Sequence, residues 1–283
     1  MPARRIDLHT HSTASDGTST PAELVRAARA AGLDVVGLTD HDTTAGWAEA
    51  SSSLPAGLSL VRGAEISCVR QGVSLHLLAY LFDPAEPVFA ARRRELRDSR
   101  VGRAEQMVRR LAADGVPVSW PQVRQLADGT VGRPHVAQAL VAAGVVGSVS
   151  QAFTAEWVGT HGRYWVPKLE LDMLDAVGLV LGAGGVPVFA HPAAATRGRT
   201  VGDEAIVAMA AAGLAGLEVD HADHDEAARR HLRGLAAELG LLTTGSSDFH
   251  GSNKTLALGA HLTTGPAYEE IVGRASGVPV VTG

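Results

Sequence analysis

Short apolar runs that end in a histidine or an acidic residue recur along this chain and alternate with segments of helical pattern. One such run is 33–39, followed by the polar segment 40–42, and another is 186–190, followed by His191. Short runs rich in Val, Leu and Ile predict buried strands, and strands that alternate with helices form parallel sheets. Such folds build their sites at the carboxyl ends of the strands. The alternation therefore predicts an α/β fold with a polar site at one face.

The first strand pattern ends in His9-Thr10-His11. Because side chains alternate along a strand, both imidazoles project to the same side, where they indicate a metal, although this motif also arises by chance. Later strand ends add His41, His191, Asp248 and His250, the predicted strand 58–61 presents Glu65, and the predicted strand 73–80 carries His76. Divalent cations in hydrolytic sites prefer neutral imidazole and carboxylate ligands. The motifs taken together therefore predict a metal site.

The alternation stops between Glu86 and Lys168, where helical patterns follow one another without strands. We predict helices over 88–113, 120–127, 134–143 and 148–157. The chain is thus expected to contain a barrel or sheet domain, residues 1–85 and 169–283, with a helical insertion at 86–168 over the site. The segment after Gly251 is expected to be irregular.

Composition excludes several classes of protein. The net charge of −5 argues against a general polyanion binder, although it allows a local basic pocket. The lone Cys68 cannot form an internal disulfide, which favours a reducing compartment. The sequence shows neither a signal peptide nor a membrane span, so we expect a cytoplasmic protein without a membrane partner. Nothing in the sequence indicates an obligate protein partner.

The motifs resemble, in order and spacing, those of the PHP (polymerase and histidinol phosphatase) phosphoesterases. The resemblance runs from Asp7-Leu8-His9-Thr10-His11 to Ser247-Asp248-Phe249-His250-Gly251. It is strongest to the stand-alone branch with a helical insertion, whose members remove phosphate from nucleotides or trim RNA from its 5′ end. This resemblance implies a distorted (β/α)7 barrel and two to three divalent metal ions (Mn, Fe or Zn).

The same resemblance implies a set of ligands. One metal would lie on His9, His11, Glu65 and Asp248, a second on Glu65, His76 and His191, and a third on Asp16, His41 and His250. Glu65 would bridge two metals, and it would act with His191 and Asp248 in catalysis. Asp40 and Asp42 are interpreted as groups that orient His41 or the neighbouring loops.

On the substrate side, Arg133 precedes Pro134 at the start of a predicted helix, where free N–H groups attract anions. A solvated arginine beside the helix is the alternative. The family pattern favours Arg133 and Lys168 as substrate contacts, with His135 beside them. Glu218, His221 and His224 follow a barrel strand and could face the substrate, with a surface position as the alternative. Of these, His221 and His224 are predicted to bind substrate.

Arg93, Arg97 and Arg100 share one helical face and could track an RNA backbone. The alternative is a solvated face that acidic neighbours balance.

The sequence therefore predicts a metal-dependent phosphoesterase that hydrolyses a phosphomonoester of a nucleotide, a nucleoside 3′,5′-bisphosphate or a monophosphate. Its partner would be a small phosphorylated substrate or short RNA. The alternatives are a 5′→3′ exoribonuclease, a histidinol-phosphate phosphatase and a non-catalytic, metal-stabilised interaction module. The candidates for the group that protonates the leaving oxygen are His191, His221 and a metal-bound water, and the sequence does not decide between them.

Overall fold

The computed structural model describes residues 4–127 and 129–283. Its strands are β1 (Ile6–Thr10), β2 (Val35–Leu38), β3 (Ser59–Arg70), β4 (Val73–Tyr80), β5 (Leu171–Asp172), β6 (Val186–Phe189), β7 (Gly216–Asp220), β8 (Leu242–Gly245) and β9 (Val281–Thr282). Seven of them form one curved path in the order β1-β2-β3-β4-β6-β7-β8. A bridge between Thr10 and Phe249 brings the two ends of the path together. The sheet is therefore a nearly closed barrel, which confirms the predicted α/β barrel.

Along this seven-stranded path, one strand runs against the others. β4 is antiparallel to both β3 and β6, whereas the remaining neighbours along the path are parallel. The cause is the connection from β3, a two-residue turn at Gln71 and Gly72, both with positive φ (51° and 71°). A turn this short can only reverse the chain, because a parallel connection needs a dozen or more residues. This hairpin distorts the (β/α) repeat.

Ten helices lie in the described residues: α1 (Pro21–Ala30), α2 (Trp47–Ser52), α3 (Pro87–Ala113), α4 (Trp120–Gln125), α5 (Arg133–Ala142), α6 (Val149–Ala152), α7 (Met173–Gly182), α8 (Asp203–Ala211), α9 (Glu226–Leu239) and α10 (Gly265–Arg274). The predicted irregular tail is wrong, because α10 and β9 both lie within it. The sequence contains the signals for a helix start, a threonine followed by a proline in the first turn of α10. In the structure, the Thr264 side chain accepts a hydrogen bond from the Ala267 N–H. β9 then pairs with β3.

Three groups of apolar side chains stabilise the barrel and the insertion. The barrel strands and their helices form two of them, and α3 contributes Phe89 and Leu96 to the larger one. Further along the same helix, Met107 and Leu111 belong to the third group, which includes α5 and the segment up to Val166. α3 therefore connects the barrel to this third group through one continuous helix. No helix of the described residues is long and apolar enough to cross a membrane.

We expect Gly37→Ala to lower the free energy of unfolding by about 2 kcal/mol or more, because overpacking at a rigid backbone contact is costly. A Cβ at Gly37 would lie 2.2 Å from the carbonyl oxygen of Leu8, so β1 and β2 would have to separate. Gly102→Ala is the matched control. A Cβ there meets nothing within 4 Å, and α3 should gain about 0.5–1 kcal/mol from the better helix former. Urea denaturation measures both, and equal effects of the two substitutions would contradict this account.

Candidate functional site

The histidines and acidic residues predicted to bind metal meet at one end of the barrel. Each is placed by a strand or by the residues just after it: His9 and His11 by β1, His41 by β2, Glu65 by β3, His76 by β4, His191 by β6, and Asp248 and His250 by β8. The expected strand before Glu65 was too short. β3 continues to Arg70, so Glu65 lies inside the strand, where it pairs with Leu78 of β4.

The first group of potential ligands is His9, His11, Glu65 and Asp248. The Nε2 atoms of His9 and His11 lie 3.1 Å apart, and each is 3.1–3.4 Å from Glu65 Oε2 and Asp248 Oδ1. A tetrahedral ion with bonds of about 2.0–2.1 Å would separate its ligands by roughly 3.3 Å. The four atoms therefore have the spacing of a coordination shell.

Glu65 faces imidazoles with both carboxylate oxygens. Its Oε1 lies 2.7 Å from His76 Nδ1 and 3.0 Å from His191 Nε2, and its Oε2 lies 3.2 Å from His41 Nδ1. The side chain is buried, and although burial raises the pKa of the carboxyl group, His76, His41 and His9 together hold it well below its usual range. Glu65 is thus ionised and lies between several nitrogen ligands. This second group consists of His41, Glu65 and His76, and the predicted His191 lies outside it, although its Nε2 faces Glu65 Oε1.

The third group surrounds Asp16. Its carboxylate oxygens lie 3.5 Å from His250 Nε2, 3.6 Å from His11 Nδ1 and 3.7 Å from His41 Nε2. Burial opposes ionisation of Asp16, but the imidazoles of His41, His250 and His11 outweigh it and keep the pKa well below the usual value. Burial, together with the charges of His11 and Lys254, lowers the pKa of His250 to about 3. The predicted members Asp16, His41 and His250 therefore lie together, with His11 added.

Hydrogen bonds fix which imidazole nitrogen faces these groups. The buried carboxylate of Glu218 accepts from His9 Nδ1 at 3.0 Å, and the carbonyl oxygen of Asp248 accepts from His250 Nδ1 at 2.8 Å. Because these oxygens accept, each Nδ1 carries the proton and each Nε2 presents its lone pair to the cluster. Burial raises the pKa of Glu218, but His9 dominates among the charges that lower it to about 2.

Glu218 also connects two parts of the site. Its second oxygen, Oε2, accepts from the backbone N–H of His191 at 2.8 Å. His191 has a φ of 32°, and Asp42 and Asp248 also have positive φ, at 57° and 51°. Such backbone strain in residues other than glycine persists where surrounding contacts enforce it, and it is common at functional sites. Sequence analysis placed Glu218 toward the substrate, whereas the structure places it behind His9 and His191.

Asp40 and Asp42 bind serines of neighbouring segments. Asp40 accepts from the backbone N–H and the hydroxyl of Ser12, at 2.8 and 2.7 Å, and from Ser15 Oγ at 2.6 Å. Asp42 accepts from the N–H and hydroxyl of Ser67, at 2.7 and 2.8 Å, and from Arg100 Nε. The predicted role in orienting neighbouring loops matches these contacts, and the structure shows no such bond to His41.

Four cations between Glu86 and Lys168 interact with one another, and one of them, Arg100, lines a cavity with Asp16 and His41. They are Arg100, Arg103, Arg133 and Lys168. Burial and then the charge of Arg100 lower the pKa of Arg133 to about 10 and that of Lys168 to about 8. Burial, followed by Arg133 and Arg100, lowers that of Arg103 to about 9. These side chains are therefore close enough to repel one another, and we call them the roof cations. Anionic groups would relieve that repulsion.

The environment of each predicted substrate contact differs. The Arg133 guanidinium lies 4.8 Å from the centre of the Phe153 ring, and its Nη1 donates to Thr160 Oγ1 at 3.3 Å. Lys168 Nζ lies 3.0 Å from Glu170 Oε1.

A small cavity lies between the barrel and the insertion. It is lined by Ser15, Asp16, His41, Arg100, Thr130 and Gly132.

Two of the predicted substrate-binding histidines have structural contacts. His224 Nδ1 donates to the carbonyl of Val219 at 2.8 Å, and its Nε2 accepts from the Ala193 N–H at 3.1 Å. Both of its ring nitrogens therefore contact backbone groups. His135 is buried and its Nδ1 accepts from the Gly132 N–H at 3.0 Å, at the start of α5. This contact stabilises the helix start.

His221 lies at the cluster and is buried. Its Nδ1 accepts from the Asp223 N–H at 3.0 Å, so the proton lies on Nε2, which is 3.4 Å from Asp248 Oδ2. Lys254 Nζ contacts the same oxygen at 2.6 Å. Sequence analysis did not single out Lys254, because it lies in the tail that was expected to be irregular.

Of the three arginines predicted to share one face of α3, two face inward and one stays exposed. Arg93 is 6% exposed, stacks over Phe82 and Phe89, and donates to the carbonyl of Pro84. Arg100 is 12% exposed and binds Asp42, while Arg97 remains 40% exposed. Arg93 is four residues after Phe89 and three before Leu96, and Arg100 is four after Leu96, so both share the inward face of α3 with those apolar residues. That spacing was the signal that identifies Arg100 as part of the site.

Comparison with known proteins gives consistent matches. A model of the PHP domain family matches residues 7–177. A 3′,5′-nucleoside bisphosphate phosphatase of Chromobacterium violaceum is 34% identical over 248 residues, 87% of each chain. A 5′-3′ exoribonuclease of Haemophilus influenzae is 34% identical over 260 residues, which cover 92% of this chain and 94% of the relative. A solved structure from Bifidobacterium adolescentis, described as a metal-dependent phosphoesterase, is 41% identical with a TM-score of 0.92, covering 97% of this chain and 98% of its own.

Replacing Glu218 by Gln should weaken metal binding by about 10- to 100-fold, the range for losing a group that orients a metal ligand. A neutral amide cannot hold the Nδ1 proton of His9 as the carboxylate does. Equilibrium dialysis with Mn²⁺ or Zn²⁺ measures the change. The control is Asp220→Asn on the same strand, where the side chain is 35% exposed and pairs with Arg233. Metal affinity of the Glu218 variant equal to that of the control would contradict the assigned role.

Proposed function

The chain belongs to the PHP domain family, and we propose that it hydrolyses phosphate esters of nucleotides with the help of bound divalent cations. The observation that carries this proposal is the arrangement of charges. A buried cluster of imidazoles and carboxylates faces Arg100 of the insertion, and a small cavity between them is lined by Asp16, His41 and Arg100. A phosphate ester bound there would contact both layers.

The donor atoms suit divalent cations. The facing Nε2 atoms of His9 and His11 are 3.1 Å apart beside two carboxylates, and a cation between them removes the repulsion of their lone pairs. We propose that one cation is held by His9, His11, Glu65 and Asp248. A second would be held by Glu65, His76 and His191 with His41 nearby, and a third by Asp16, His41 and His250. Manganese, iron and zinc all suit these ligands.

Bound cations would supply charge neutralisation at the phosphoryl oxygens and a water of lowered pKa. The residues of the chain do the remaining work. Glu65 fixes the relative position of the first two groups, because each of its oxygens faces a different set of imidazoles. Glu218 holds His9 with Nε2 forward, and Lys254 and His221 hold the outer oxygen of Asp248. The ligands are therefore preorganised by hydrogen bonds.

We propose that the roof cations bind phosphate oxygens of the substrate. Guanidinium groups bind phosphate through two parallel hydrogen bonds, and desolvation strengthens such contacts. Several cations exceed the need of one phosphomonoester that the metals already neutralise. A nucleoside 3′,5′-bisphosphate, with its second phosphate on the same small molecule, therefore fits the site best. The relative from C. violaceum that bears this name is consistent with the proposal.

A 5′→3′ exoribonuclease is the second candidate, and the H. influenzae relative of that name favours it. Of the three arginines expected to track RNA, Arg93 and Arg100 face inward, which leaves Arg97 as the exposed one. Purified protein reconstituted with Mn²⁺, Fe²⁺ or Zn²⁺ should be assayed with nucleoside mono- and bisphosphates and with 5′-phosphorylated RNA. A kcat/KM for RNA above that for the bisphosphate would reverse our ranking.

Glu65→Gln should lower metal content and abolish turnover together, because the variant loses the charge shared between the first two groups. Elemental analysis and an assay with the preferred nucleotide measure the two effects. The control is Glu105→Gln on the insertion, whose carboxylate only pairs with Arg109 at the surface. Full metal stoichiometry with near-normal kcat in the Glu65 variant would refute the bridging role.

Arg133→Ala should reduce kcat/KM for the bisphosphate by about 10- to 150-fold, as expected for a lost charged hydrogen bond of about 1.5–3 kcal/mol. Metal content should stay unchanged, because Arg133 belongs to the insertion. Arg163→Ala is the matched control, since that side chain is 65% exposed and pairs with Asp114. If both variants retain full activity, the phosphate contact lies on another roof cation.

A further inference from the structure

Asn253 joins the barrel to the insertion with its side-chain amide. It follows β8 in the segment after His250, and its Nδ2 donates to the main-chain carbonyl of Asp16 at 2.9 Å. Its Oδ1 accepts from Gln138 Nε2 on α5 at 3.1 Å. Because a carbonyl oxygen can only accept, the contact with Asp16 fixes the orientation of the amide. We call the two hydrogen bonds the Asn253 bridge.

Both ends of the bridge lie on functionally placed segments. Asp16 belongs to an irregular loop and contacts His11, His41 and His250. Gln138 lies on α5, the helix whose first residue is Arg133. The bridge therefore connects the loop that carries a proposed metal ligand with the helix that carries a proposed phosphate contact.

The insertion also lies directly against the Asp16 loop. The Thr130 N–H donates to the Ala14 carbonyl at 3.2 Å, and a Cβ at Gly129 would lie 2.5 Å from that oxygen. On the other side of the loop, the Ser252 N–H donates to Thr18 Oγ1 at 2.9 Å. The loop is thus held between the insertion and the segment that carries Asn253. Asn253 contacts both the loop and the insertion.

We propose that Asn253 is a positioning residue that sets the distance between the roof cations and the metal-ligand cluster. This inference rests on the proposed function for its effect on substrate choice. A substrate with two phosphates must reach the metals and Arg133 at once, so its binding depends on that distance. A phosphomonoester without a second phosphate uses the metals alone and is insensitive to it. The bridge is therefore a determinant of specificity.

Gln138→Ala removes the bond to the insertion and leaves Asn253 and Asp16 in contact. We expect kcat/KM for nucleoside 3′,5′-bisphosphate to fall about threefold to tenfold, the range for one neutral hydrogen bond. The value for p-nitrophenyl phosphate and the metal content should stay within twofold of wild type. Gln106→Ala, at an exposed position of α3, is the matched control and should change neither value.

Asn253→Ala should cause at least the same loss on the bisphosphate, and adding Gln138→Ala to it should cost nothing further, because the shared bond is already absent. Equal losses on both substrates in Gln138→Ala, or additive losses in the double variant, would overturn the proposal.

Hydrogen–deuterium exchange separates this proposal from the proposed function. Backbone amides of α5 should exchange faster in Gln138→Ala than in wild type or Gln106→Ala, whatever the substrate is. Unchanged exchange in α5 would overturn the bridge even if the bisphosphate is hydrolysed. If the wild-type protein does not hydrolyse the bisphosphate, but α5 still exchanges faster in Gln138→Ala, the proposed substrate is refuted and the bridge stands.

Discussion

The carboxylate of Glu65 is the contact on which the site depends. Its oxygens lie within 3.2 Å of ring nitrogens from five histidines: His9, His11, His41, His76 and His191. Removing an ionised carboxylate from water costs several kcal/mol unless other charges and hydrogen bonds offset it. The barrel meets this cost by bringing imidazoles from β1, β2, β4 and β6 around one residue of β3. The polar centre and the closure of the sheet therefore depend on each other.

The second dependence is between the barrel and the insertion. α3 extends from the barrel core at Phe89 to the insertion core at Leu111, and Arg100 lies midway on its inward face. Asp42 accepts from Arg100 and from Ser67, and it lies just after His41. A shift of this helix would thus move a cation and disturb the segment after β2 together. The position of α3 therefore affects how the insertion lies relative to the barrel.

Much of this arrangement could be predicted from the sequence, because the signals for it are local. The strands before His41 and His191 are short apolar runs, and His76 was placed correctly on the strand 73–80. The inward face of α3 could also have been read, since Arg93 and Arg100 follow the spacing of Phe89 and Leu96. The contacts of His224 and Asn253 could not be predicted from the sequence. They depend on backbone groups of Ala193 and Asp16, which only the folded chain brings near.

The closure of the barrel also determines when the site can form. The turn at Gln71 and Gly72 joins neighbours in sequence, so the hairpin that carries Glu65 and His76 needs little loop closure. The bridge between Thr10 and Phe249 joins nearly the two ends of the chain. Pairings between distant segments carry the largest entropic cost and limit the rate of folding. His9 and Asp248 meet only at that step, so a nascent chain still lacking β8 carries most of the histidines but has not completed the first or the third group of ligands.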